Sequence, residues 1–147
     1  MWGSLGPASA GAPAVCIDIA ADRAALGAAQ DQLEDFLTQQ GVEPPLRLRT
    51  AVLLDEAFMN VVMYAFDEPA GQQVQLFVSL PAGALVLRLE DHGRPFDASS
   101  SALSSPADPS TGPLGGRGLV LIQQLAQQVE RERIGPINRL TMRLHRD

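Results

Sequence analysis

A chain of 147 residues, 46% hydrophobic and 19% charged, falls in the size range of one domain, long enough to bury roughly two-thirds of its unfolded surface. The net charge is −6 and all 11 basic residues are arginines, which argues against the lysine-rich positive field that nonspecific nucleic-acid binding relies on. No apolar run reaches bilayer-spanning length and MWGSLGPASAGAPA lacks the basic start and apolar centre of a signal peptide, so the expectation is a cytoplasmic protein that engages neither nucleic acid nor membrane.

Residues 1–14 read as a flexible arm and 15–147 as a single domain. Val15 to Ile19 has the composition of a short strand, in which the lone Cys16 is expected as a buried, inert thiol. Ala20 to Gln40, rich in Ala, Leu and Gln and stopped by Gly41, predicts a helix. Pro45 then opens a second helix, whose apolar positions Leu46, Leu53, Ala57, Val61 and Tyr64 persist until DEPAG. Inside that stripe sit an acid and an amide, Glu56 and Asn60. Four positions apart on a helix, they share one face and point at whatever that face covers.

Beyond Gly71, Val74, Leu76, Val78 and Leu80 alternate with other residues before PAGA turns the chain into Leu85, Leu87 and Leu89, which predicts an antiparallel hairpin. Asp91 continues the parity of those leucines, so its carboxylate should project to the buried side and need a partner there. From Arg94 the chain is dominated by Ser, Pro and Gly, and a loop of such length inside a compact domain is usually functional or disordered. It ends in GGRGLVLIQQLAQQVE, where glycines run into an expected amphipathic helix whose first amides would face an anion. Gly135 and Pro136 turn the chain into a last strand with Leu140, Met142 and Leu144 inward; Asn138 shares their parity.

In order, these features are E-x-x-x-N on a helix, D-x-G at a strand end, a long loop and G-x-G. Together they resemble the GHKL ATPases, and LDEAFMNVVMYAF, DHGRPFD and GGRGLVLIQQLA look like the anti-sigma-factor serine/threonine kinase branch, over roughly residues 15 to 146. The resemblance implies an α/β (α+β) two-layer sandwich, a mostly antiparallel sheet with helices on one face, of the Bergerat ATP-binding type. It also implies ATP and Mg2+ as ligands. Asn60 would hold the Mg2+ through its amide oxygen, and Glu56 would be the catalytic general base toward a serine or threonine hydroxyl. Asp91 would accept from the adenine amino group, Gly93 would admit the base, Gly116, Arg117 and Gly118 would flank the phosphates, and residues 94–115 would form the ATP lid. The implied partners are a small antagonist protein with a phosphorylatable Ser or Thr, a sigma factor or other effector, and a second copy in a homodimer, with Val62 and Leu125 as candidate exposed apolar contacts. A non-catalytic ATP-sensing interaction module of the same fold is the alternative. Two positions depart from the family pattern: Pro95 stands where many members have a second glycine, and Leu114 where some carry an arginine.

The remaining polar and aromatic residues near these motifs carry plainer expectations. His92 is a loop histidine without metal partners, and Phe66 and Phe96 are packing residues. Asp55 and Glu90 point away from their acidic neighbours and are expected in solvent.

Overall fold

A computed structural model describes residues 12–95 and 121–146 of the chain. β1 (Ala14–Ala20) leads into α1 (Arg23–Gln39) and α2 (Pro44–Ala65), then β2 (Gln73–Ser79), β3 (Ala84–Asp91), β4 (Gln128–Ile134) and β5 (Ile137–His145). The strands form one sheet in the order β1-β2-β3-β5-β4, and every pairing is antiparallel. This is the expected two-layer arrangement of sheet and helices, and strand parity explains it. Ile17, Ile19, Leu76, Leu87, Leu89 and Met142 share one face of the sheet and belong to a single core with Leu33, Leu37, Leu53 and Phe58 of the helices.

The Asp22 side chain caps α1 by accepting from the Ala25 amide at 2.7 Å, so β1 runs on through Ala20 and the helix begins later than its composition suggests. Leu26, Ala29, Leu33 and Leu37 form its buried stripe, and Gly41 ends it with a φ of 74°. Pro44 rather than Pro45 is the first residue of α2. On α2 the buried residues Thr50, Leu53, Leu54, Ala57 and Phe58 recur at helical spacing, and Thr50 satisfies its buried hydroxyl by donating to the Leu46 carbonyl at 2.7 Å. Gln30 donates to the Ala51 carbonyl at 2.8 Å and ties the two helices together.

The segment expected to stay helical through Glu130 does not. Residues 121–125 are helical, but β4 starts at Gln128 and pairs along its length with β5. The Gln127 amide donates to the Arg143 carbonyl, and Gly135, at a φ of 57°, closes the hairpin. Cys16 is exposed rather than buried, because placing Ile17 and Ile19 in the core sends it to the opposite face. Glu90 is buried rather than solvated. Its register partner across the β3–β5 ladder is Arg139, whose Nε donates to Glu90 Oε2 at 2.7 Å. Asp55 is half-buried, and so are Val62 and Leu125, which pack on the core instead of standing free. His92 is exposed and Phe66 is buried; Phe96 lies outside the described residues.

The sheet face turned away from the helices is charged toward β4. Arg88, Arg139, Arg143, Glu130 and Glu132 line a pocket of about 270 Å³ there.

Candidate functional site

Two elements meet at one corner of the sheet, the C-terminal end of α2 and the end of β3. The backbone does the joining: the Arg94 amide donates to the Ala65 carbonyl at 2.9 Å. Gly93 lies so close to the last turn of α2 that a Cβ built on it would sit 2.6 Å from the Ala65 Cβ and still nearer the Ala65 carbonyl. Only glycine fits this approach. Arg94 reinforces it from the side chain, with Nε donating to the Tyr64 carbonyl and Nη1 to Asp67 Oδ1, both at 2.8 Å.

Asp91 is 4% exposed on the helix-facing side of the sheet. Its Oδ1 accepts from the Gly93 amide at 2.8 Å, a local turn bond of the kind aspartates make two residues ahead, and from Asn138 Nδ2 at 2.9 Å. Among the described residues its Oδ2 has no hydrogen-bond partner. The carboxylate is therefore held firmly by one oxygen and offers the other as an acceptor.

Asn138 is the register partner of Asp91 across the β3–β5 ladder, and its amide nitrogen also donates to the Arg94 carbonyl at 2.9 Å. Arg133, from the exposed edge strand β4, reaches over the same corner. Its Nη1 donates to Asn138 Oδ1 at 3.0 Å and to the Gly93 carbonyl at 2.9 Å, and its Nε to the Gly135 carbonyl at 2.8 Å. Parity had placed Asn138 on the inner side of β5. Nothing in the sequence marks Arg133, because its reach depends on β4 being a strand paired in this register.

Glu56 and Asn60 sit half-buried on the flank of α2 beside the Leu53 and Ala57 stripe, on one face as their spacing requires. Neither has a hydrogen-bond or ion-pair partner among the described residues. With a rise of about 1.5 Å per residue, Asn60 lies roughly 7 Å and Glu56 roughly 13 Å back along α2 from Ala65, so Asp91, Asn60 and Glu56 follow one another away from the corner. No cluster of three or more His, Cys, Asp or Glu is placed to hold a metal among the described residues. An amide oxygen alone suits a magnesium ion that takes its other ligands from phosphates and water. Gly116, Arg117 and Gly118, and nearly all of the 94–115 lid, lie outside the described residues. No described helix is long and apolar enough to cross a membrane.

The model of the histidine kinase-like ATPase domain family matches residues 19–144. Solved structures that share the fold at low identity include the following two. The RsbU and RsbW domains of Rv1364c from Mycobacterium tuberculosis match with a TM-score of 0.64 at 16% identity, over 92% of this chain and 33% of that one. The SiaB-SiaC complex from Pseudomonas aeruginosa matches with a TM-score of 0.63 at 14% identity, over 90% of this chain and 89% of that one. The chain thus spans a third of the first and most of the second. No curated protein matches the sequence.

Proposed function

We propose, on the premise that the chain belongs to the histidine kinase-like ATPase domain family, that it binds Mg-ATP between α2 and the end of β3 and transfers phosphate to a serine or threonine of a small antagonist protein. The observation that carries the nucleotide site is the Asp91 corner: a buried carboxylate with one oxygen saturated and one open, beside a glycine that nothing larger can replace. Asp91 Oδ2 accepts from the adenine amino group, and Gly93 lets the backbone approach the ring. Asn60 would hold a magnesium ion through its amide oxygen, and the ion would supply neutralisation of the charge on the phosphates. Gly116, Arg117 and Gly118 hold the phosphates through backbone amides and a guanidinium, under a lid at about 94–115.

Glu56 is the general base. Its carboxylate takes the proton of the partner's hydroxyl as that oxygen bonds to the terminal phosphorus and the bond to the ADP oxygen breaks. A protein partner is supported by the neighbours, one containing RsbU and RsbW domains and the other SiaB in complex with SiaC. The same reading extends to partner switching in the cytoplasm, with release of a sigma factor or other effector when the antagonist's phosphorylation state changes, and with a homodimer as the working unit.

Pro95, at the start of the lid, favours a second reading in which nucleotide only reorders the lid and so changes the bound partner. Calorimetric titration with ATP, with and without Mg2+, tests the site. Wild type should bind in a magnesium-dependent way, Asn60→Ala should lose that dependence, and Asp91→Asn should bind more weakly. Labelled ATP with candidate antagonists then separates the readings: label on a partner's hydroxyl, lost in Glu56→Ala while ATP binding persists, marks a kinase. Transfer at the wild-type rate by Glu56→Ala would remove the general base from this account.

A further inference from the structure

We propose that Arg133 and Asn138 form a relay that turns Asp91 into a one-oxygen reader and thereby sets the preference for a 6-amino over a 6-oxo purine. The inference rests on the nucleotide-site reading above and concerns how that site discriminates.

A carboxylate has two oxygens and only accepts hydrogen bonds. The pairing edge of guanine carries two adjacent donors, N1–H and the 2-amino group, which a carboxylate with both oxygens free can take side by side. The corresponding edge of adenine offers one donor, the 6-amino group, next to an acceptor. A free aspartate at a base site therefore favours guanine by geometry, since paired charge-assisted bonds are the stronger arrangement. In this protein the paired mode is blocked. Oδ1 of Asp91 already receives the Gly93 amide and Asn138 Nδ2, and Oδ2 is the acceptor that remains.

Arg133 and three acceptors together hold Asn138 in the blocking orientation. The oxygen and nitrogen of an amide side chain are assigned from their neighbours, and these neighbours allow one answer. A guanidinium only donates, so the oxygen of Asn138 must face Arg133 Nη1. The nitrogen then faces three acceptors, Asp91 Oδ1 and the carbonyls of Arg94 and, more distantly at 3.4 Å, Gly93. The reversed amide would set an oxygen against all three. Arg133 is itself fixed by the carbonyls of Gly93 and Gly135, so the β4–β5 hairpin pins the oxygen end of the amide whose nitrogen bonds to Asp91 on β3. Asn138 and Arg133 are positioning residues that act through Asp91.

The test is equilibrium binding of ATP, GTP and ITP, each with Mg2+, to the full chain. Wild type should prefer ATP. Asn138→Ala frees Oδ1 for a second donor, and Arg133→Met removes the guanidinium that pins the amide oxygen of Asn138, loosening its hold on Oδ1. In both, the ATP-to-GTP affinity ratio should fall by roughly tenfold or more, the scale of one paired contact to a base. ITP, which has N1–H but no 2-amino group, should gain less than GTP. Arg133→Lys, which keeps a donor on the amide oxygen, should preserve the wild-type ratio. Arg133 is exposed on an edge strand, so its variants test the relay even where Asn138→Ala folds poorly. Equal weakening of all three nucleotides in Arg133→Met, with the ratio unchanged, would mean that the relay is only structural and would overturn the inference. Failure of wild type to bind any of the three would instead overturn the nucleotide-site reading on which it stands.

Discussion

At Gly93 the chain has no choice of residue. A methyl group there would enter the space of Ala65, and that neighbour is backbone and Cβ of a packed helix end rather than a side chain able to swing aside. Gly93→Ala must therefore push β3 away from α2, a change that overpacked cores register as about 1–3 kcal/mol. Chemical denaturation should show a loss of that size, and nucleotide binding should fall with it. Wild-type stability in Gly93→Ala would mean that the corner opens freely. Cys16 invites the opposite expectation. It is exposed, yet partial burial of its thiol pushes its pKa up, and the charges of Asp18 and Glu90 push it further the same way. A raised pKa leaves less thiolate at neutral pH, and the thiolate is what reacts. Alkylation at pH 7.5 should run slower than for a free cysteine and recover as pH rises toward 10. A rate above that of free cysteine at pH 7.5 would contradict this.

Among the elements, β3 carries the site, and both of its faces are buried. The helix-facing side is apolar up to Asp91, but the other places Arg88 between Phe77 and Thr141 with a buried Nε that has no hydrogen-bond partner among the described residues. Burial lowers the pKa of this guanidinium and nearby Arg139 lowers it further, while Glu90 opposes them. The folded state thus disfavours the charged form that the unfolded chain carries at neutral pH. Arg88→Met keeps the hydrocarbon and removes the charge, and should raise stability by about 1 kcal/mol in denaturant titration, since an unmade buried bond costs about that much. A comparable loss would mean that Arg88 has a partner worth keeping. The alternation on β2 and β3 and the stripes on α1 and α2 were legible because each element turns apolar residues toward the shared core at its own regular period. β4 was not legible. Leu121, Leu125 and Val129 recur at helical spacing, so the pattern continues smoothly across the point where the helix stops. Val129 is inward in either reading, and only pairing with β5 makes 128–134 extended. Glu90 was misread for a related reason. Its partner Arg139 is distant in sequence and is brought opposite by the register of the ladder.

For the whole molecule, the proposed site is a meeting of parts that lie far apart along the chain. Asp91 and Asn138 could be assigned to the inner face by parity alone, and Glu56 with Asn60 to one face of a helix. Their assembly could not, since it depends on Ala65 seating against Gly93 and on Arg133 reaching back from an edge strand. The corner thus ties α2 to β3 and to the β4–β5 hairpin, so a ligand touching Asp91 and Asn60 together should stabilise the fold as a unit rather than one loop. A ligand that binds only the folded state stabilises it by about 2.7 kcal/mol at a hundred times its Kd. For a domain of this length that is a rise in Tm of roughly 5–10 °C. Thermal unfolding with saturating Mg-ATP should show such a shift. Asp91→Asn should blunt it, because one face of the base site is weakened. In Asn60→Ala the shift with ATP should become indifferent to Mg2+, because the magnesium contact is gone. Were Mg-ATP to leave the wild-type Tm unmoved at millimolar concentration, the convergence of these elements would be architecture without a nucleotide, and the Asp91 corner would serve only to join the helix layer to the sheet.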